Sequence, residues 1–217
     1  MLNSILNLDI LSFIIAIIVV LTVHEFAHAW MANHLGDPTA KYAGRLTLNP
    51  LNHLDPLGTF ILFLLIFTAG LGFGWGKPVP VNPYNLRHRY GELLVSIAGP
   101  FSNFLIAILL IATVAIIPPS LSQNWSMDFY MLIQTIISVN VMLGVFNLLP
   151  IPPLDGSKVL FDLLPARSGN IRSALESYGP FLLIFILFFG LGALGGIAKL
   201  IIASLINLGN LLNGIIY

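Results

Sequence analysis

The chain has no cysteine, which closes off disulfides and thiolate metal sites. Charge is nearly as scarce: Asp, Glu, Lys and Arg supply 8% of the 217 residues, where a soluble domain of this size carries about 25%. Nine basic and nine acidic residues cancel. No basic run is long enough to follow a phosphate backbone, so nucleic acid is not an expected partner. Internal repeats, low-complexity stretches and composition shifts that would mark a second domain are all missing. The first residues also lack the basic start and small-residue cleavage site of a secretory signal, so the first apolar segment is expected to be retained.

What fills the space is hydrocarbon. Hydrophobic residues make up 57% of the chain, and the mean hydropathy is +0.94. This is the composition of an all-α polytopic membrane protein whose solvent is the lipid bilayer, with one domain over residues 1–217. Apolar stretches at 10–33, 91–117 and 128–149 are long enough for helices crossing the hydrocarbon layer. They form an expected three-helix core over about 10–160. The stretch 57–73 is shorter and rich in glycine. A C-terminal helical pair is expected over about 173–214, broken at GLGALGG, residues 190–196.

The basic residues orient the chain. Lys41, Arg45, Lys77, Arg87, Arg89, Lys158, Arg167 and Arg172 fall in the loops 34–56, 74–90 and 150–180. If 57–73 dips into the membrane and returns, all of them share one side. By the bias of Lys and Arg toward the cytosol, that side is cytosolic and the N-terminus lies outside. The expected location is the cell membrane, with 57–73 as a re-entrant element. A full span is the alternative, against the positive-inside bias.

Within the first apolar helix stands HEFAH, residues 24–28. Positions i and i+4 share a helix face, so His24 and His28 can hold one metal ion together. Glu25 borders the same face and can take a proton from the attacking water. Ionisable groups at membrane depth are costly and functional by default; the bland alternative is three polar residues satisfied by neighbouring helices. A catalytic zinc needs a third protein ligand and an open position. Asp155 in NLLPIPPLDG, residues 147–156, emerges from its span at the depth of the two histidines. Its proline-rich backbone must line a cavity or bind something at that depth. A plain Asp-Gly turn is the other reading of LDG, and Asp55 is the next carboxylate to consider.

HEFAH, AGPFSN at 98–103 and NLLPIPPLDG together resemble the site-2 protease family of intramembrane zinc metalloproteases. RLTLNPLNHLDPLG, residues 45–58, is similar to a small prokaryotic branch of that family without PDZ or CBS domains. The resemblance implies one Zn2+ per chain held by His24, His28 and Asp155, with Glu25 as general base. It implies a transmembrane protein as substrate, cleaved within or near its membrane segment in regulated intramembrane proteolysis.

Other motifs leave alternatives open. Asn103 in AGPFSN could donate to a developing oxyanion or tie two helices together. Asn147 could bind substrate backbone or cap its own helix. GWGKPVPVNP, residues 74–83, reads as an extended, β-like edge able to hold a substrate strand, or as a plain connector. His53 could orient a ligand, polarise substrate or serve only its loop, and His34 and His88 read as interfacial. A metal-binding or metal-transport protein using the same cluster is the alternative function. A transporter would be expected to show internal symmetry and a polar path, neither of which the sequence displays.

Overall fold

A computed structural model describes residues 2–69, 74–117 and 125–216. Its helices are α1 (Leu2–His34), α2 (Thr39–Tyr42), α3 (Pro56–Ala69), α4 (Gly91–Ile116), α5 (Met127–Asn147), α6 (Asp155–Leu163), α7 (Gly169–Phe185) and α8 (Leu191–Ile216). Four stretches are long and apolar enough to cross a membrane: Ile10–His34, Gly91–Ile116, Met127–Asn147 and Gly169–Leu211. The protein is therefore an all-α polytopic membrane protein. In hydrocarbon a helix satisfies its own backbone groups, which is why these aliphatic runs are helical throughout.

α1, α4 and α5 pack against one another as a three-helix core, and α8 lies against α4 and α5. Small residues bring the axes close: Ala16, Ala29, Ala98 and Ala107 are buried, and a Cβ on Gly144 would come within 2.9 Å of the Phe104 ring. Farther along, Ala107, Ile111, Ile137, Val141 and Ala198 close the interior. α1 stops in a glycine cap. Gly36, at φ +105°, donates to the Asn33 carbonyl at 3.2 Å, and Asp37 N–H donates to that of Ala32 at 2.8 Å.

At the stretch 57–73, α3 has 14 residues, Pro56–Ala69, and covers only about 21 Å, short of the roughly 30 Å of hydrocarbon. Its two flanks meet. Leu54 and Gly76 form an antiparallel bridge, Lys77 N–H donates to the His53 carbonyl at 2.8 Å, and Gly74 packs on Gly58 and Leu62. The segment thus leaves and returns at one end of the bundle, as a re-entrant element does. Gly70 and Gly72, two of the glycines that make this stretch glycine-rich, lie outside the described residues. Among the described residues the extended segment after it makes that single bridge and no ladder.

One expectation needs correction. The C-terminal pair is not broken at 190–196. α7 and α8 join through a π-helical stretch, Ile186–Gly190, and continue without a reversing turn. The glycines Gly192, Gly195 and Gly196 face open space, so nothing there forces the chain to leave the helix. The Asp-Gly pair at 155–156 opens a helix, which sets aside the alternative reading of a plain turn. Leu154 is extended at the cap, and an acidic residue in a first turn is favoured by the helix dipole. α6 is seated on α4 by Asp162, which accepts from Leu93 N–H at 2.8 Å.

Candidate active site

Two helices bring the cluster together. His24 and His28 project from one face of α1, and Asp155 projects from the first turn of α6. The imidazole Nε2 atoms are 3.0 Å apart. Asp155 Oδ2 lies 3.2 Å from His24 Nε2 and 3.1 Å from His28 Nε2. All three residues are buried, with ligand atoms within 4.8 Å of one another. A tetrahedral ion with Zn–N bonds of about 2.0–2.1 Å holds its ligand atoms roughly 3.3 Å apart, so the donor set fits a zinc ion in both chemistry and spacing.

The far side of each imidazole is also engaged. His28 Nδ1 lies 2.7 Å from the Val95 carbonyl, an acceptor only, so Nδ1 carries the proton and Nε2 presents its lone pair to the cluster. His24 Nδ1 meets the buried Asn103 amide at 3.2 Å. With the amide nitrogen facing His24, the Asn103 carbonyl oxygen is buried without a partner. Reversed about its last bond, the amide presents its oxygen to His24 and accepts from Nδ1–H. Val95 and Asn103 both come from α4, which also supplies Gly99. A Cβ on Gly99 would sit 2.4 Å from His28 Nε2 and 2.6 Å from His24 Cε1. Gly156 is equally confined: a Cβ there would lie 2.3 Å from the Leu148 carbonyl oxygen.

A cavity of about 140 Å3 opens beside the cluster, lined by Glu25, Pro78, Val79, Val81, Asn147, Pro153 and Lys158 together with His24, His28, Val95 and Asp155. Glu25 is not one of the clustered ligands; its Oε2 accepts from the Val79 backbone N–H at 3.2 Å. The extended segment that follows α3 therefore lies against HEFAH through Val79. Asn147 forms part of the wall and donates to its own helix through the Leu143 carbonyl at 3.1 Å. Asn103 does not line the cavity.

The remaining candidates lie elsewhere. His53 is fully buried in the loop beneath the extended segment, with Nε2 2.8 Å from the Thr47 carbonyl. Asp55 caps α3 by accepting from Gly58 N–H at 2.8 Å. His34 stacks on Trp30, and His88 accepts from Tyr90 N–H at 3.1 Å. Two features went unread in the sequence. Lys158, one turn beyond Asp155, places its Nζ 3.8 Å from Asp155 Oδ1; its i+3 spacing was the available signal. The Val79 amide had none beyond its place between two prolines.

Comparison with known proteins agrees with this geometry. The model of peptidase family M50 matches residues 12–120 and 113–190. YwhC of Bacillus subtilis is 42% identical over 179 residues, covering 81% of this chain and 78% of that one. Rip2 of Mycolicibacterium smegmatis is 35% identical over 170 residues, 77% of this chain and 62% of Rip2. Zinc metalloprotease MJ0392 of Methanocaldococcus jannaschii is 35% identical over 107 residues, 48% of this chain but only 29% of its own length. No solved structure matches. With a family model spanning most of its length and a relative matched over most of both chains, the protein belongs to peptidase family M50, the site-2 protease family of zinc metalloproteases.

Proposed function

We propose that this chain is an intramembrane endopeptidase that cleaves other membrane proteins within or near their transmembrane segments. In this reading one zinc ion is held by His24, His28 and Asp155. The observation that carries it is the convergence of these three buried ligand atoms within 4.8 Å beside the Glu25 carboxylate, with both histidines on a helix of membrane-spanning length. Zinc bound there supplies Lewis acidity toward a carbonyl and toward water.

The protein's own groups do the rest. Glu25 accepts the proton of the attacking water and passes it to the departing amine as the peptide C–N bond breaks, so it ends the turnover as it began. Asn103 acts through His24, holding the ring by its Nδ1–H. Asn147 faces the cavity from the end of α5 and binds substrate backbone. The segment 74–83 seats the substrate in extended form, which requires its helix to unwind locally. A second cavity of about 670 Å3, between α1, α3 and α5 and reaching the π-helical stretch, is walled mostly by aliphatic and aromatic side chains that suit an apolar substrate segment. The site works from the cytosolic side of the cell membrane.

Purified enzyme reconstituted with a model transmembrane peptide tests this reading. Glu25→Gln is expected to lose about 10²–10⁴-fold in cleavage rate, the usual worth of a general base, while keeping its zinc. Asp155→Ala is expected to lose both zinc and activity. Glu25→Gln cleaving at the wild-type rate would overturn the mechanism, and full zinc occupancy in Asp155→Ala would overturn the ligand set.

A further inference from the structure

We propose that the backbone N–H of Val79 is a fixed part of the catalytic apparatus: it orients the Glu25 carboxylate and so couples the substrate-seating segment to the base. This rests on the reading of Glu25 as general base.

Four observations lead there. First, the contact is specific. Val79 N–H donates to Glu25 Oε2 at 3.2 Å, across 54 residues of sequence and from a different element. One carboxylate oxygen is thereby occupied, and the other is left for the proton of the attacking water.

Second, the donor stands alone. In KPVPVNP, residues 77–83, Pro78 and Pro80 have no N–H, so Val79 carries the single backbone donor between Lys77 and Val81. Donors at alternate residues point to the same side of an extended chain. Lys77 N–H is spent on the His53 carbonyl and Val79 N–H on Glu25, both toward the body of the protein.

Third, the segment is held at both ends. At its start the Leu54–Gly76 bridge and Arg45, whose Nη1 lies 3.5 Å from the Lys77 carbonyl oxygen, fix it to the 45–54 loop. At its end Asp37, fully buried, accepts from Asn82 N–H at 2.7 Å and from Asn85 Nδ2 at 2.9 Å. The proline rings stiffen what lies between. The Val79 amide is thus delivered to Glu25 by a braced strut, with its position set before any substrate arrives.

Fourth, Pro78, Val79 and Val81 line the same cavity as the cluster. A substrate lying in that cavity touches the element that aims the base. A substrate that displaces the segment loosens Glu25, and one that packs against it holds Glu25 in place.

The experiment removes the N–H and little else. Val79→Pro suits a segment already rich in proline and takes away only the donor and some side-chain shape. Replacing the Val79 residue by its α-hydroxy acid, so that an ester joins it to Pro78, keeps the side chain and is the second variant should the proline variant fold poorly. Val79→Ala keeps the donor and trims the side chain. With a fluorogenic single-span peptide in phosphatidylcholine vesicles, the proline and ester variants are expected to lose about ten- to hundredfold in kcat, the range for a hydrogen bond to a charged group. Zinc content and KM should change little. Val79→Ala should shift mainly KM, through the cavity wall.

A readout without turnover accompanies it. Amide exchange at Val79 should be slow in the wild type and accelerate in Glu25→Ala. An N–H that merely satisfies a buried donor would change stability but leave kcat intact. Proline and ester variants with the kcat of Val79→Ala, or exchange at Val79 indifferent to Glu25, would overturn the proposal. Glu25→Gln separates the two levels: if it still cleaves, the base assignment fails; if it is inactive while both donor-less variants cleave normally, only the orienting role of Val79 fails.

Discussion

At the scale of single residues, the cluster depends on atoms that are absent as much as on those present. Gly99 is the clearest case, because a methyl group there would enter the space of both imidazoles, 2.4 Å from His28 Nε2. Gly99→Ala must push the rings or the α4 backbone aside. Overpacking of this kind costs about 1–3 kcal/mol, and here it falls on the ligands. Zinc affinity is expected to drop about ten- to hundredfold, measured by competition with a chelator, with cleavage falling alongside. Gly192→Ala, where nothing lies within 4 Å, is the matched substitution and should leave zinc affinity unchanged. Equal affinities in the two variants would show that the α4 contact does not confine the histidines. The ligand candidates themselves were legible in the sequence, because two imidazoles and a carboxylate in an apolar chain have little other reason to be there. The confinement by Gly99 had no signal beyond a glycine in AGPFSN, and the Val79 donor had none at all, since a backbone N–H leaves no mark in the residue letters.

At the scale of elements, the long spans were legible because a bilayer demands a length and the sequence either supplies it or does not. α6 was not: LDG fits a turn and a helix start equally, and the choice was made by Asp162 bonding to the first turn of α4. The continuation of α7 into α8 through the π-helical stretch escaped notice for a similar reason. Glycines in a membrane helix lose less than they do in water, because hydrocarbon offers no partner for a freed backbone group. The element that matters most for the site is the braced segment 76–85, and its brace at Asp37 is sensitive to acid. Burial pushes the Asp37 carboxyl up, but hydrogen bonds from Thr39, Asn85 and the backbone of Asn82 outweigh it and hold the group below the ordinary carboxylate range. A carboxyl lowered in the folded state contributes stability that is complete above its unfolded value, about 3.9, and is lost as pH falls through the lowered folded value. Amide exchange at Asn82 should therefore stay slow from neutral pH down to about 4 and accelerate below it, and Asp37→Asn should remove that acid-dependent step. The same step persisting in Asp37→Asn would assign it to another group. Because Asp37 and Val79 act on one segment, Asp37→Ala and Val79→Pro should be less than additive in kcat.

At the scale of the whole molecule, the loops and the chemistry share one end of the bundle. α1 delivers its histidines near its C-terminus, α4 delivers Val95, Gly99 and Asn103 near its N-terminus, and α5 leads into the proline segment before Asp155. The polar connections are bonded to one another there: Arg87 N–H donates to the Leu35 carbonyl at 2.9 Å, and Lys77 N–H to that of His53 at 2.8 Å. Such contacts cannot form across hydrocarbon, so residues 41 and 87 must lie on the same side of the membrane despite the apolar α3 between them. A chain without cysteine makes this directly measurable. Lys41→Cys and Arg87→Cys, each in the otherwise intact protein, are treated in whole cells with a membrane-impermeant thiol reagent. The proposed cytosolic site requires that neither be labelled from outside and that both be labelled once the membrane is permeabilised. Labelling of both from outside would invert the orientation while preserving the re-entrant path. Labelling of position 87 alone would make α3 a full crossing, and it would put the segment that holds Val79 on the opposite side of the membrane from the loop that braces it.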